Sequence, residues 1–251
     1  MKKTAIITGS ASGIGAATAI DLSKRGWNVV INYSKSEAEA KKVAAKCADS
    51  IVVQADVGDD AACKKLVQVA MDKWGRVDAL VNNAGTTKFV KHADLDGLSA
   101  DDFLRIYRLN VVGPFQMTRA CAAALKTAKG SVVNVSSVAS LLGTGSSIAY
   151  AASKAALNSV TRSLARVLGP EVRVNAVLPG YVDTPWQTGA LGQEKANQAA
   201  AHYSTLVPLK DYARPDAREL QQLRRIEGAA AKQDFTACLC LELFSALRVF
   251  D

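Results

Sequence analysis

Tyr150 and Lys154 stand four residues apart in a stretch, residues 149–168, that reads as a long helix, so both side chains share one face. A free phenol titrates near about 10 and is a poor acid or base at neutral pH. A neighbouring ammonium favours the phenolate and lowers that value, which makes Tyr-x-x-x-Lys a general acid/base device. Ser137, thirteen residues before Tyr150, sits just past an apolar strand-like run, where its hydroxyl can bind a substrate carbonyl. Taken singly, the ordinary reading of each is bland: a surface tyrosine beside a lysine, and a turn serine.

These residues need a scaffold, and the chain spells one out. Ala5-Ile6-Ile7 reads as a buried strand, Thr8-Gly9-Ser10-Ala11-Ser12-Gly13-Ile14-Gly15 as a glycine turn, and residues 16–22 as an amphipathic helix. In that context glycines let a phosphate approach the unpaired N–H groups of a helix start. The alternation continues. Strands are expected at 28–33, 51–53, 78–81, 131–135 and 172–177. Helices are expected at 36–47 with Ser36 as cap, at 59–74, 100–109 and 112–127, and at 149–168. Strand–helix alternation of this kind implies right-handed crossovers and a doubly wound parallel sheet of Rossmann type. Ligands of such sheets sit beyond the carboxyl ends of the strands. The glycine turn, Asn82-Asn83-Ala84-Gly85, Ser136-Ser137 and Pro179-Gly180 all fall there.

Occurring together, these residues resemble the classical short-chain dehydrogenase/reductase family. The likeness runs from Thr4 to about Thr184 and is carried by Thr8-Gly9 with Gly13-Ile14-Gly15, Asp56-Val57, Asn82-Asn83-Ala84-Gly85, Asn110, Ser137, Tyr150 with Lys154, and Pro179-Gly180. The resemblance implies hydride transfer between a nicotinamide cofactor and a small carbonyl or alcohol substrate. Tyr150 would be the acid or base, Ser137 would orient the substrate oxygen, and Lys154 would tune the phenol and hold the nicotinamide ribose. Asn110 would place a water in a proton relay, unless it is only a polar break between two helices. Gly9, Ser12, Gly13, Ile14 and Gly15 would bind the diphosphate, and Asp56 and Val57 the adenine. Asn83, Ala84 and Gly85 would lie beside the nicotinamide half, although Asn82 and Gly85 can also serve only the sheet centre. Pro179, Gly180, Val182 and Thr184 would reach the nicotinamide amide and the diphosphate, with Pro179 most simply a rigid turn.

An acid at the end of the second strand would bind a ribose 2′-hydroxyl and select NAD. Here the strand runs into Asn32-Tyr33-Ser34-Lys35-Ser36, with no acid before Glu37. A hydroxyl and an ammonium at Ser34 and Lys35 suit a 2′-phosphate, so NADP is expected rather than NAD.

Apolar content of 49% over 251 residues supports one large α/β domain without disulfides or metals. The five cysteines, Cys47, Cys63, Cys121, Cys238 and Cys240, form no C-x-x-C pair, and His92 and His202 lie far apart. No metal site and a reducing, cytoplasmic setting are expected. Nothing resembles a secretory signal or a membrane span. A net charge of +8 is spread over helix-like stretches rather than gathered in a nucleic-acid motif. A homo-oligomer, dimer or tetramer, is expected from the resemblance. The competing function is a non-catalytic dinucleotide-binding or regulatory protein.

The core domain is expected at 1–212, with a substrate loop at 185–210 where Trp186, Tyr203 and Leu206 are candidates for a pocket wall. The segment 213–251 departs from the family pattern: it has no glycine after Gly228, whereas relatives close with a seventh strand and a Gly-rich ending. Residues 217–226 favour a helix, and residues 235–250 are apolar. A reading-frame change near Asp216 is one origin for such a tail, and it would put the oligomer interface in doubt. Translation of the coding DNA in the other frames tests it.

Overall fold

The computed structural model describes residues 1–206. The expectations for 213–251, Cys238 and Cys240 included, lie outside the described residues.

Six parallel strands form one sheet in the order β3-β2-β1-β4-β5-β6. They are β1 (Thr4–Ile7), β2 (Asn28–Tyr33), β3 (Ser50–Gln54), β4 (Ala79–Asn82), β5 (Ser131–Val135) and β6 (Arg173–Val177). Every residue of β1 and β2 is buried, as expected of parallel strands covered on both faces. Alternate side chains feed two cores. Ile6, Val30, Leu80, Val132 and Val174 pack with Leu66, Met117, Cys121 and Leu125. Ala5, Ile7, Val29, Ile31 and Val81 pack with Ala19, Ala40 and Val43. The helices supplying these contacts are α1 (Gly13–Lys24), α2 (Glu37–Ala44), α3 (Asp60–Trp74), α4 (Ala100–Tyr107) and α5 (Gly113–Ala128). They are followed by α6 (Ala139–Leu142), α7 (Ile148–Leu168), α8 (Pro185–Leu191) and α9 (Gln193–Leu206). The chain moves one way from β1 to β2 and β3 and the other way to β4, β5 and β6. The crevice at that switch point opens above the carboxyl end of β1.

Two local departures have physical causes. Asp78 precedes β4 instead of opening it, because its carboxylate accepts from the Thr4 N–H at 2.8 Å and from Arg76 Nε at 2.9 Å. The expected break near Asn110 is instead a π-helical turn, Arg108–Val112, that joins α4 to α5 without a gap. Pro114 lacks the N–H that would reach back four residues, and a widened turn accommodates that loss.

α3 starts at an Asp59 cap that accepts from the Ala62 N–H, whereas Ser36 caps α2 without a side-chain bond. Cys63 and Cys121 are buried, and burial pushes both thiols up, Cys63 to about 12. No described helix is long and apolar enough to cross a membrane.

Candidate active site

The turn after β1 is shaped by glycine geometry and by amides. Gly9 and Gly13 hold φ of 62° and 56°, values that L side chains rarely adopt. The Gly9 N–H donates to Asn32 Oδ1 at 3.0 Å, while Asn32 Nδ2 donates to the Ala55 carbonyl at 3.0 Å. Asn32 thereby locks the turn to the ends of β2 and β3. Ser12 caps α1 without a side-chain bond, and no acid stands in the first turn. The helix start therefore faces the crevice with its N–H groups and partial positive charge.

Gly15 behaves differently from its neighbours. It lies behind the turn, where a Cβ would come 2.5 Å from Asn83 Nδ2 and 2.8 Å from the Gly9 carbonyl. The missing side chain has a packing role: it lets Asn83 donate to the Thr8 and Gly9 carbonyls at 3.0 and 3.1 Å. Thr8 Oγ1 accepts from the N–H groups of both Asn83 and Ala84 at 3.0 Å. Asn82 serves the sheet centre, donating to Asn134 Oδ1 at 2.8 Å.

The end of the cleft that holds Tyr150 and Lys154 is built by β5, α7 and the π turn. Ser147 caps α7 by accepting from the Tyr150 N–H at 3.3 Å. One turn on, Lys154 is 4% exposed, and its Nζ donates to the Val135 carbonyl at 2.7 Å. The ammonium lies 5.7 Å from the Tyr150 ring centre. Ser137 and Tyr150 both line the cleft at this end. Sequence reasoning expects the lysine to depress the phenol pKa. In this structure burial dominates and raises it to about 12, with the neighbouring Ser137 hydroxyl acting the other way. Burial also lowers Lys154 from 10.5 to about 8.

Asn110 is buried, and its amide is engaged on both sides. Oδ1 accepts from the Thr86 N–H at 2.8 Å, and Nδ2 donates to the Thr86 carbonyl at 2.9 Å and to Ser153 Oγ at 3.0 Å. Ser153 in turn donates to the Tyr150 carbonyl at 2.7 Å. The π turn thus ties the loop after β4 to the helix that carries Tyr150. A side chain on Gly85 would sit 3.4 Å from Asn110 Oδ1 and 3.7 Å from Lys154 Nζ.

One cleft of about 770 Å³ joins these parts. Its walls include Gly9, Ser12, Gly13 and Ile14 at the centre, Ser34, Lys35, Asp56 and Val57 toward β2 and β3, and Asn83, Ala84 and Gly85 after β4. Ser137, Tyr150, Lys154, Pro179, Gly180, Val182 and Thr184 complete the other side. Of the expected site residues, Gly15 and Asn110 support the wall from behind. Trp186 faces the cleft with its ring centre 6.3 Å from that of Tyr150. Tyr203 packs on Tyr181 at 5.8 Å, and the Leu206 side chain lies outside what is described.

Sequence reasoning missed Arg105, Arg108, Asn32, Thr86 and Gln187, which also line the cleft. The arginines, three apart and just before Asn110, carried a helical-spacing signal that could have marked them.

A family model described as short chain dehydrogenase matches residues 3–195. A Streptomyces violaceoruber protein named as ketoacyl reductase 2 of the granaticin polyketide synthase is 42% identical over 213 residues, 84% of either chain. A Synechocystis protein named 3-oxoacyl-(acyl-carrier-protein) reductase is 34% identical over 220 residues, 85% of either chain. A solved Burkholderia xenovorans structure, named as a short-chain dehydrogenase/reductase, matches with a TM-score of 0.85 at 40% identity, covering 95% of this chain and 96% of that one.

Proposed function

The chain belongs to the short-chain dehydrogenase family, and from that premise we propose that it is an NADP-dependent ketoreductase using Ser137, Tyr150 and Lys154. The observation that carries the reading is that Ser137, Tyr150 and Lys154 line the same cleft as the glycine turn, with the buried Lys154 ammonium 5.7 Å from the phenol ring centre.

The cradle fits a dinucleotide. A Cβ on Gly9 would come 2.9 Å from Ala84 Cα, so only glycine lets the turn lie this close to the segment after β4, and the start of α1 offers N–H groups to an anion. Bound nicotinamide supplies or accepts the hydride. With its pKa raised, Tyr150 is protonated at neutral pH and gives its proton to the oxygen of the reacting ketone. Ser137 donates to the same oxygen as charge develops on it. The Lys154 ammonium stabilises the phenolate left behind and regains its importance as that charge appears. Asn110 Oδ1 and Lys154 Nζ flank the space beside Gly85, which supports a water relay that returns the proton to Tyr150.

Ser34 and Lys35 are exposed on the cleft wall, and no acid stands between β2 and Glu37. This supports NADP through its 2′-phosphate. Relatives named ketoacyl and 3-oxoacyl reductase favour an oxoacyl ketone as substrate. Leu104, Val112 and Phe115 are exposed along α4, the π turn and α5, which supports a homo-oligomer built on that face. Purified protein should oxidise NADPH with at least one member of a ketone panel that includes 3-oxoacyl thioesters. Cofactor binding without turnover on the whole panel would favour the non-catalytic reading.

A further inference from the structure

Tyr150, Lys154 and Asn158 are spaced by four along α7 and form one stripe on that helix. The stripe grips the segment 135–140 at successive points. Lys154 Nζ donates to the Val135 carbonyl at 2.7 Å, and the Lys154 carbonyl accepts from Ser136 Oγ at 3.2 Å. One turn on, Asn158 Nδ2 donates to Ser140 Oγ at 2.8 Å, and Ser140 Oγ donates to the Ser137 carbonyl at 2.6 Å. Ser137 is thereby held from both sides along the chain, through Val135 and Ser136 before it and through Ser140 after it.

The relay from Asn158 to Ser137 has a set direction. Because Ser140 Oγ accepts from the amide, its own proton is turned to the Ser137 carbonyl. That carbonyl already accepts from the Ser140 N–H at 3.0 Å, so the second donor adds orientation rather than satisfaction. The Ser137 hydroxyl accepts from the Ala139 N–H at 3.2 Å, which leaves its proton for a ligand in the cleft. Stability does not account for the arrangement. Asn158 Oδ1 is buried with no hydrogen-bond partner among the described residues, a cost that an apolar side chain of similar size does not carry.

A hydroxyl that stabilises a developing alkoxide works only within hydrogen-bond reach of where that oxygen comes to lie. A misplacement of about 1 Å can cost about 100-fold. Ser137 stands between β5 and α6, and Tyr150 stands on α7, so a contact between these elements must set one against the other. Resting on the ketoreductase reading above, we propose that Asn158 supplies it: acting through Ser140, it is a positioning residue that sets the Ser137 hydroxyl relative to the Tyr150 phenol.

Steady-state NADPH oxidation on the best ketone of the panel, with thermal melting of the cofactor-free protein, tests this on Asn158→Leu and Ser140→Ala. Each variant should lose about tenfold in kcat, while KM for the ketone stays within about twofold and Tm stays at or above the wild-type value. That split is the mark of an interaction made only in the transition state. In a Ser137→Ala background, Asn158→Leu should cost nothing further, because the group it positions is gone. Wild-type kcat in both single variants overturns the proposal. So does a loss confined to KM, a loss that comes with a lowered Tm, or a loss repeated in full in the Ser137→Ala background, since each marks a merely structural brace. Wild type that turns over no ketone of the panel overturns the ketoreductase reading and this inference with it.

Discussion

Replacing Lys154 with Met should make the protein more stable and inactive, and the gain should depend on pH. Lys154 is an almost wholly buried ammonium whose pKa falls from 10.5 to about 8 through burial alone. Below about 8 the lysine is charged in both the folded and the unfolded chain, and the folded chain carries the full desolvation cost. The fall from 10.5 to about 8 corresponds to about 3 kcal/mol. Methionine of similar length removes that cost but strips the Val135 carbonyl of its donor, a loss of about 1 kcal/mol. The net gain at pH 7 is about 2 kcal/mol, or about 4–8 °C in Tm for a chain of this size. Between about 8 and 10.5 the unfolded chain holds the proton that the folded chain has released. Wild-type stability therefore rises with pH through that window, and the advantage of the variant disappears. Calorimetry of cofactor-free wild type and Lys154→Met at pH 7 and pH 10 checks this. A variant less stable than wild type at pH 7, or a Tm difference unchanged between the two pH values, would refute the reasoning. With the predicted gain, the loss of turnover is the familiar exchange of stability for activity.

Lys35→Ala should erode the preference for NADPH over NADH by about tenfold in kcat/KM, as expected for losing one charge-assisted phosphate contact; an unmoved preference would remove Lys35 from the account. Gly15→Ala should destabilise by about 1–3 kcal/mol through overpacking, because its Cβ would meet Asn83 Nδ2 at 2.5 Å. Dinucleotide affinity should fall with it, and an unchanged melting curve would contradict the packing role.

Much of the molecule could be read before its fold was known, and the reasons are local. β2 and β5 fall at 28–33 and 131–135 as expected, because short β-branched runs between polar turns have one reasonable period. Ser137, Tyr150 and Lys154 are legible from spacing, since a strand end and one helical turn bring them together. What stayed hidden depends on contacts across the sequence. Asn32 reads as a strand residue, but its amide spans the ends of two other strands. Nothing in the spacing shows that Gly15 is also where Asn83 packs. The π turn has no periodic signature in five residues, so Asn110 reads as a break rather than a brace. Arg108 is a surface residue by type, and only the fold sets it over Gly58. The direction of the Tyr150 shift also escaped, because sequence shows the neighbouring ammonium and conceals the burial that raises the phenol.

The central claim is that Tyr150 exchanges a proton with a ketone oxygen held by Ser137 while hydride moves to or from the neighbouring carbon. Its most direct test is NADPH oxidation by absorbance on the best ketone of the panel, with wild type and Tyr150→Phe compared at equal cofactor saturation. The account predicts that the variant still binds NADPH, with a similar Kd, and loses turnover by about 100-fold or more, the scale of a positioned acid. Turnover by Tyr150→Phe at close to the wild-type rate would contradict it.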